Sequence, residues 1–206
     1  MPGAINAVLF DFSGVLTSSP WPALSASAQG DLELLVGPYH DDTDHPWHQL
    51  ERGEISIGDW MTAVQALGQA AGTAIDFGPM ETLLGNLTVH DQVIEHIRGL
   101  RADGFATALV TNNVREGADR WRAMIPVDEL FDVVVDSSAV GMRKPNPAIY
   151  HHTLELLGEV APADAVFLDD VESNLVGARS AGLQTILVLD PPDPALVELD
   201  LLLGRT

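Results

Sequence analysis

Ala7-Val8-Leu9-Phe10-Asp11-Phe12-Ser13-Gly14-Val15-Leu16-Thr17 is the stretch that decides the fold. Four apolar residues without polar alternation read as a strand covered on both faces, and the run then breaks into a carboxylate and a glycine turn. Similar apolar runs recur downstream at Thr107–Val110, Val133–Val135, Val166–Leu168 and Thr185–Leu189. Helical patterns separate them. Asp91–Ala102 sets Val93, Ile94, Ile97 and Leu100 at helical spacing and stops at Asp103-Gly104. Pro145-Asn146-Pro147 opens a helix through Leu157, Ser173–Ala181 closes at Gly182, and Asp190-Pro191-Pro192-Asp193-Pro194 turns into a last helix, Ala195–Leu203. This alternation predicts an α/β fold: a Rossmann-like three-layer sandwich around a parallel sheet of about five strands, joined by right-handed crossovers.

One connection breaks the rhythm. Roughly 70 residues follow the first strand before the next α/β pair begins, far beyond a normal loop. Leu32, Leu34, Leu35, Ile55, Ile57, Trp60, Met61, Val64, Leu67, Leu83 and Leu84 in this insert suit the core of a small helical bundle. The expected organisation is therefore a core of residues 1–16 and 91–206, with an all-helical cap of residues 17–90 set over the carboxyl end of the first strand.

Composition narrows the function classes. The chain has 206 residues, no cysteine, and 30 acidic against 10 basic residues, a net charge of −20. No disulfide, thiolate metal site or cysteine nucleophile is available. Such an acidic surface argues against nucleic acid and anionic membranes as partners. The first residues show neither a signal peptide nor a membrane span, so the expected location is the cytoplasm. Of the ten basic residues, one is lysine: Lys144.

Open α/β sheets bind ligands beyond the carboxyl ends of their strands, where strand order reverses. The polar residues at those ends are Asp11-Phe12-Ser13-Gly14, Thr111-Asn112-Asn113, Lys144 within Gly141-Met142-Arg143-Lys144-Pro145, and Asp169-Asp170 followed by Asn174. Each cluster alone reads as a turn, a cap or a solvated charge; all four at strand ends converge on one crevice. Asp11, Asp169 and Asp170 would then crowd three carboxylates, which require protons or a cation. An all-oxygen site of few ligands suits Mg²⁺. Thr111 and Lys144 offer donors to phosphate oxygens, and the turn at Gly14 is expected to leave backbone N–H groups for an anion. Asp11 would then be free to act as a carboxylate nucleophile.

These four clusters, in this order and across the whole chain, resemble the motifs of the haloacid-dehalogenase-like hydrolases, in the branch with a helical cap after the first motif. The sequence is most similar in flavour to bacterial sugar-phosphate phosphatases and to the N-terminal phosphatase domain of soluble epoxide hydrolases. The resemblance implies a hydrolase with Asp11 as nucleophile and metal ligand, the Ser13 carbonyl, Asp169 and Asp170 as further metal ligands, and Thr111, Asn112 and Lys144 holding the phosphoryl group. It implies Asn174 as a brace that shares a helix face with Asp170, Mg²⁺ as cofactor, and a small phosphorylated substrate.

One position departs from that pattern. The family's phosphatases place a second Asp, the acid–base group, two residues after the nucleophile, and here Ser13 stands there. Three readings stay open: a phosphatase whose missing role passes to water or a cap residue, a catalytically weakened binding or regulatory module, and a 2-haloacid dehalogenase. Dehalogenases of this fold need neither a metal nor paired acids, so Asp169-Asp170 and Lys144 favour phosphoryl transfer. The cap carries ten acids and one arginine, Arg52, which suggests a small neutral or cationic group such as a sugar on the phosphate. His40, His45 and His48, set among Asp41, Asp42 and Asp44, read as a polar loop leading into a helix or, alternatively, as a metal cluster. Trp21, Trp47 and Trp60 read as bundle core. The chain is expected to act as a monomer or a homodimer.

Overall fold

In the computed structural model, which describes residues 4–28, 31–38, 40–81 and 87–205, five strands form one parallel sheet in the order β3-β2-β1-β4-β5. They are β1 Ala7–Phe10, β2 Ala106–Thr111, β3 Val133–Asp136, β4 Ala165–Asp169 and β5 Gln184–Leu187. The chain steps outward from β1 to β2 and β3, then crosses back and steps out on the other side through β4 and β5. Strand order therefore reverses beside β1, between the ends that carry Asp11 and Asp169. Phe10 is level with Leu109 of β2 and Leu168 of β4. The residue just past β1, Asp11, donates its N–H to the Leu168 carbonyl at 2.9 Å, which puts Asp11 and Asp169 side by side at neighbouring strand ends.

The unbroken apolar run of β1 is split between two cores. Val8 and Phe10 face one side and Ala7 and Leu9 the other, all fully buried. Strand edges differ from the expected ones by a residue or two. β2 runs to Thr111, so that threonine is the end of the strand rather than part of a turn, and β5 stops at Leu187, leaving Leu189 exposed.

Five helices lie between β1 and the rest of the sheet: α1 Trp21–Ser27, α2 Leu32–Val36, α3 Pro46–Glu51, α4 Ile57–Ala71 and α5 Gly78–Glu81. The longest, α4, is set by its ends. Ser56 and Asp59 form a reciprocal capping box and Gly72 closes it in the left-handed conformation. The cap has a core of its own around Leu24, Leu35, Val36, Trp47, Leu50, Trp60, Val64 and Ile75. Of the expected cap core, Leu35, Trp60 and Val64 are buried, whereas Ile57, Met61 and Leu67 are 43%, 41% and 37% exposed. The buried stripe of α4 is Trp60, Val64 and Gly68, spaced four apart, and the other three residues lie off it. Leu83 and Leu84 lie outside the described residues. The chain leaves and re-enters the cap through paired segments: Ser18 N–H bonds to Thr88 O at 2.8 Å, and His90 N–H to Leu16 O at 2.9 Å.

The remaining helices flank the sheet: α6 Asp91–Ala102, α7 Ala118–Arg122, α8 Val127–Leu130, α9 Ser137–Val140, α10 Pro147–Leu156, α11 Glu172–Ser180 and α12 Asp193–Leu203. α6, α7 and α12 cover one face and α10 and α11 the other. Helices α7, α8 and α9 have four or five residues, too few to show a period in the sequence. Among the described residues no helix is long and apolar enough to cross a membrane.

Candidate active site

The strand register assembles the polar clusters into one place. Lys144 is buried, and its ammonium lies 2.6 Å from Asp11 Oδ1 and 2.8 Å from Asp169 Oδ2. Asn112, just past β2, holds the lysine's peptide. Its Oδ1 accepts from Lys144 N–H at 2.8 Å, and its Nδ2 donates to Lys144 O at 3.0 Å. Asn112 thus positions Lys144 with its amide oxygen and one of its two amide hydrogens, and it lines the same cavity as Asp11. Thr111 is buried and lines the same cavity as Asp11.

Asp169 is held by donors on both of its oxygens. It accepts from Val171 N–H at 2.8 Å, from Asn174 Nδ2 at 3.0 and 3.1 Å, and from Lys144. Asn174 therefore braces Asp169. The expected alignment with Asp170 fails because α11 starts at Glu172, so Asp170 lies before the helix and shares no face with it. Two residues that the sequence did not single out hold this corner. Tyr150 Oη donates to Asn174 O at 2.7 Å. Gly177 lets α11 lie against the loop after Lys144, since a Cβ there would lie 2.0 Å from the Pro145 carbonyl oxygen.

Asp170 is the contrasting member. Its Oδ1 is buried without a hydrogen-bond partner, and burial, then the neighbouring Asp169 charge, pushes its carboxyl up to about 6. Burial also raises Asp11, reinforced by Asp169 and Asp170 and opposed by Lys144. Burial disfavours the charged lysine, yet the Asp11 and Asp169 carboxylates outweigh it and keep Lys144 protonated. Three carboxylates thus share one ammonium, with ligand oxygens within 4.8 Å of one another. A site with this surplus of negative charge and an orphaned buried oxygen fits a hard divalent cation.

The turn after β1 is a correction to the sequence reading. Gly14 was expected to free backbone N–H groups for an anion. Instead Gly14 N–H bonds to Thr17 O at 2.8 Å, and Phe12 N–H to the Asp11 carboxylate at 2.7 Å. The turn curls back on itself, which spends these two donors. Glycine is required for another reason: its φ is +84°, and a Cβ would lie 2.1 Å from Asp170 Cγ. Gly14 makes room for the third carboxylate.

Asp11 and Ser13 open into a cavity of about 310 Å³ between core and cap. Its floor is Asp11, Ser13, Thr111, Asn112 and Lys144, and its cap wall includes Trp21, Trp47, Leu50, Ile57, Trp60 and Met80. Asp170 faces a second cavity, of about 500 Å³, together with Gly14, Ser19, His40 and His90. Core and cap meet at a buried ion pair that sequence reasoning missed. Arg143 Nε lies 2.8 Å from Glu51 Oε2, and the same guanidinium donates to the Asp41 carbonyl. Each residue is legible by itself, Arg143 beside the single lysine and Glu51 at the end of α3, but no local signal pairs them. Burial raises the Glu51 carboxyl, against the pull of Arg143.

The three cap histidines do not assemble a metal centre; among the described residues the group able to hold an ion is Asp11, Asp169 and Asp170. His45 caps α3, accepting from Trp47 N–H at 3.2 Å, and His48 accepts from Thr43 N–H at 3.0 Å. They order the loop before α3. Trp47 and Trp60 stack edge to face at 5.6 Å; they are both bundle core and cavity wall.

Comparison with known proteins agrees with this geometry. The sequence profile of the haloacid dehalogenase-like hydrolases matches residues 5–182. Bifunctional epoxide hydrolase 2 of Rattus norvegicus is 30% identical over 98% of the chain, and the chain spans 39% of that protein's length. Sesquiterpene phosphatase astK of Aspergillus oryzae is 28% identical, with 90% of each chain covered. A HAD family enzyme of Bacteroides thetaiotaomicron, solved in complex with magnesium and inorganic phosphate, superposes with a TM-score of 0.63 at 20% identity, over 89% of this chain and 94% of that one.

Proposed function

The chain belongs to the haloacid dehalogenase-like hydrolases, and from that premise we propose that it is a magnesium-dependent phosphatase that takes the phosphoryl group of a small phosphomonoester onto the Asp11 carboxylate. The observation that carries this reading is the Lys144 ammonium, held between Asp11 and Asp169 at the floor of the cavity, with the unpartnered Oδ1 of Asp170 beside them. Asp11, Asp169, Asp170 and the Ser13 carbonyl are the proposed ligands of Mg²⁺, which when bound offsets the carboxylate and phosphoryl charge. Thr111 and Lys144 face the phosphoryl oxygens.

An Asp11 oxygen bonds to phosphorus as the bond to the leaving oxygen breaks in line with it. The electron pair stays on the leaving oxygen, which takes a proton from water. A second water attacks phosphorus, releases inorganic phosphate and restores the Asp11 carboxylate. Ser13 lines the cavity beside Asp11, but its hydroxyl titrates far too high to act as the acid. That absence costs on the order of 10²–10⁴ in rate and favours substrates whose alkoxide leaves readily. It is also the observation behind the second reading, a weakened binding module. In either case the molecule is read as cytoplasmic, acting on a small molecule rather than on nucleic acid or membrane.

Phosphate release with and without Mg²⁺, by wild type and Asp11→Asn, separates the two. Metal-dependent release that falls by on the order of 10⁴ or more in the variant supports the phosphatase. Tight binding of inorganic phosphate without turnover of any monoester would establish the module, and metal-free halide release from 2-haloacids the dehalogenase.

A further inference from the structure

The two sides of the 310 Å³ cavity differ in kind. The floor supplies the groups that a phosphoryl moiety needs. The cap wall, where the alcohol carried by that phosphoryl group must lie, is apolar. A sugar would bring several hydroxyls to this wall; Trp47 Nε1, buried without a partner, offers a donor to one of them, and most of the others would lose water without gaining a bond. The indole N–H of Trp60 is already spent on the Leu35 carbonyl at 3.2 Å. The charged residues at the seam, Arg143 and Glu51, are 2% and 5% exposed and bonded to each other. They meet the cavity as a neutral pair; the cations that line it besides Arg143 are Lys144 on the floor and Arg120 of α7, both on the core side rather than the cap wall.

Packing of the cap alone does not account for the wall. Trp47 and Trp60 are cap core on one side, yet the cavity lies against them on the other, and Ile57 reaches it while 43% exposed. We propose that the preferred substrate is the monophosphate of an apolar alcohol, and that Trp21, Trp47, Leu50, Ile57, Trp60 and Met80 are the residues that select it. This deepens the phosphatase reading and rests on it. It replaces the sugar-phosphate expectation, which came from the net charge of the cap: the acids that give that charge lie mainly outside the cavity, and the one that lines it, Glu51, is paired. The cavity sits at the lower end of small-molecule sites, so the alcohol is compact rather than a long lipid chain.

The test compares primary alkyl monophosphates of matched leaving-group chemistry: octyl phosphate against glucose 6-phosphate and glycerol 3-phosphate, on the full chain with Mg²⁺. The expected kcat/KM ratio favours octyl phosphate by about tenfold or more. Ile57→Asn and Trp21→Ser, at partly exposed positions, are expected to shrink that ratio, with melting curves as the folding control. Equal or better turnover of the sugar or glycerol ester, or variants that lower all three esters alike, would overturn the proposal. Calorimetry on Asp11→Asn with octylphosphonate and with inorganic phosphate reads the wall without turnover. If no ester is turned over but octylphosphonate binds at least tenfold more tightly than phosphate, the apolar wall stands and the phosphatase reading falls. Equal affinities sink the proposal whatever the turnover.

Discussion

The floor and the wall of the active-site cavity are built by different rules. The floor is set by the sheet: once β1, β2 and β4 pair in register, Asp11, Thr111 and Asp169 have one place to be, and the loop bearing Lys144 is tied to it through Asn112. The wall is set by helix packing in the cap, where the same tryptophans fill a core and face a ligand. Backbone hydrogen bonding tolerates no slip, so chemistry carried on strand ends is fixed. Side-chain packing tolerates substitution by residues of similar volume, so recognition carried on the cap is free to vary. Chemistry placed on the floor and selection placed on the wall can then change independently.

The largest expected effect breaks the floor. Lys144→Met leaves Asp11 and Asp169 without their shared cation in a fully buried site. Removing one partner of a buried pair costs about 3–5 kcal/mol, and this lysine serves two carboxylates. Thermal or urea unfolding of the metal-free protein checks it, and Mg²⁺ is expected to restore part of the loss, because it supplies charge at the same place.

The seam comes next. Arg143→Met and Glu51→Gln each leave a buried group without its partner and are expected to cost roughly 3 kcal/mol. The double variant Glu51→Leu with Arg143→Met should recover most of that, since an apolar pair suits the site. If the single costs simply add, the pair does not act as a unit, and core and cap are held together by other contacts. Within the floor, Gly14→Ala is smaller in stability, about 2 kcal/mol from its left-handed φ. It is the sharper probe of the cation site, because the new methyl displaces Asp170. Calorimetric Mg²⁺ affinity should fall while that of Ser13→Ala, which keeps its backbone carbonyl, stays near wild type.

The same division explains what could be read from the sequence. The apolar runs gave all five strands, and the residues following them gave Asp11, Lys144, Asp169 and Asp170, because a buried parallel strand leaves a continuous apolar signature and its end is unmistakable. The partners inside the site were harder. Asn174 was matched to Asp170 by helical spacing, but Asp170 precedes α11, where that spacing does not apply, and Asn174 faces Asp169 instead. Gly14 was assigned to anion binding because spacing shows a turn but not where its N–H groups point. In the cap, apolar residues were legible as apolar, yet Ile57 and Trp60 read alike, and their separation into exposed rim and buried core depends on tertiary contacts. Arg143 and Glu51 lie 92 residues apart, and nothing local in either segment announces the other.

The smallest effect belongs to the cap alone and tests whether its loop is as passive as its geometry implies. His48 is buried, accepts from Thr43 N–H at 3.0 Å, and leaves its Nε2 without a partner. Burial first, then the nearby Arg143 and His45 charges, lowers its pKa to about 4 from an ordinary 6.5. Between those values the unfolded chain binds the proton and the folded one does not, so stability is full above pH 6.5 and declines as pH falls toward 4. The whole shift corresponds to about 3 kcal/mol, and discounting for residual screening leaves roughly 1–2 kcal/mol. Urea midpoints of wild type and His48→Gln, compared at pH 7 and pH 4.5, isolate this group from the others that titrate in that range. The wild type should lose more on acidification than the variant. Equal losses would mean that the histidine is protonated in the fold, and that the loop before α3 carries a charge facing Arg143 instead of a neutral ring.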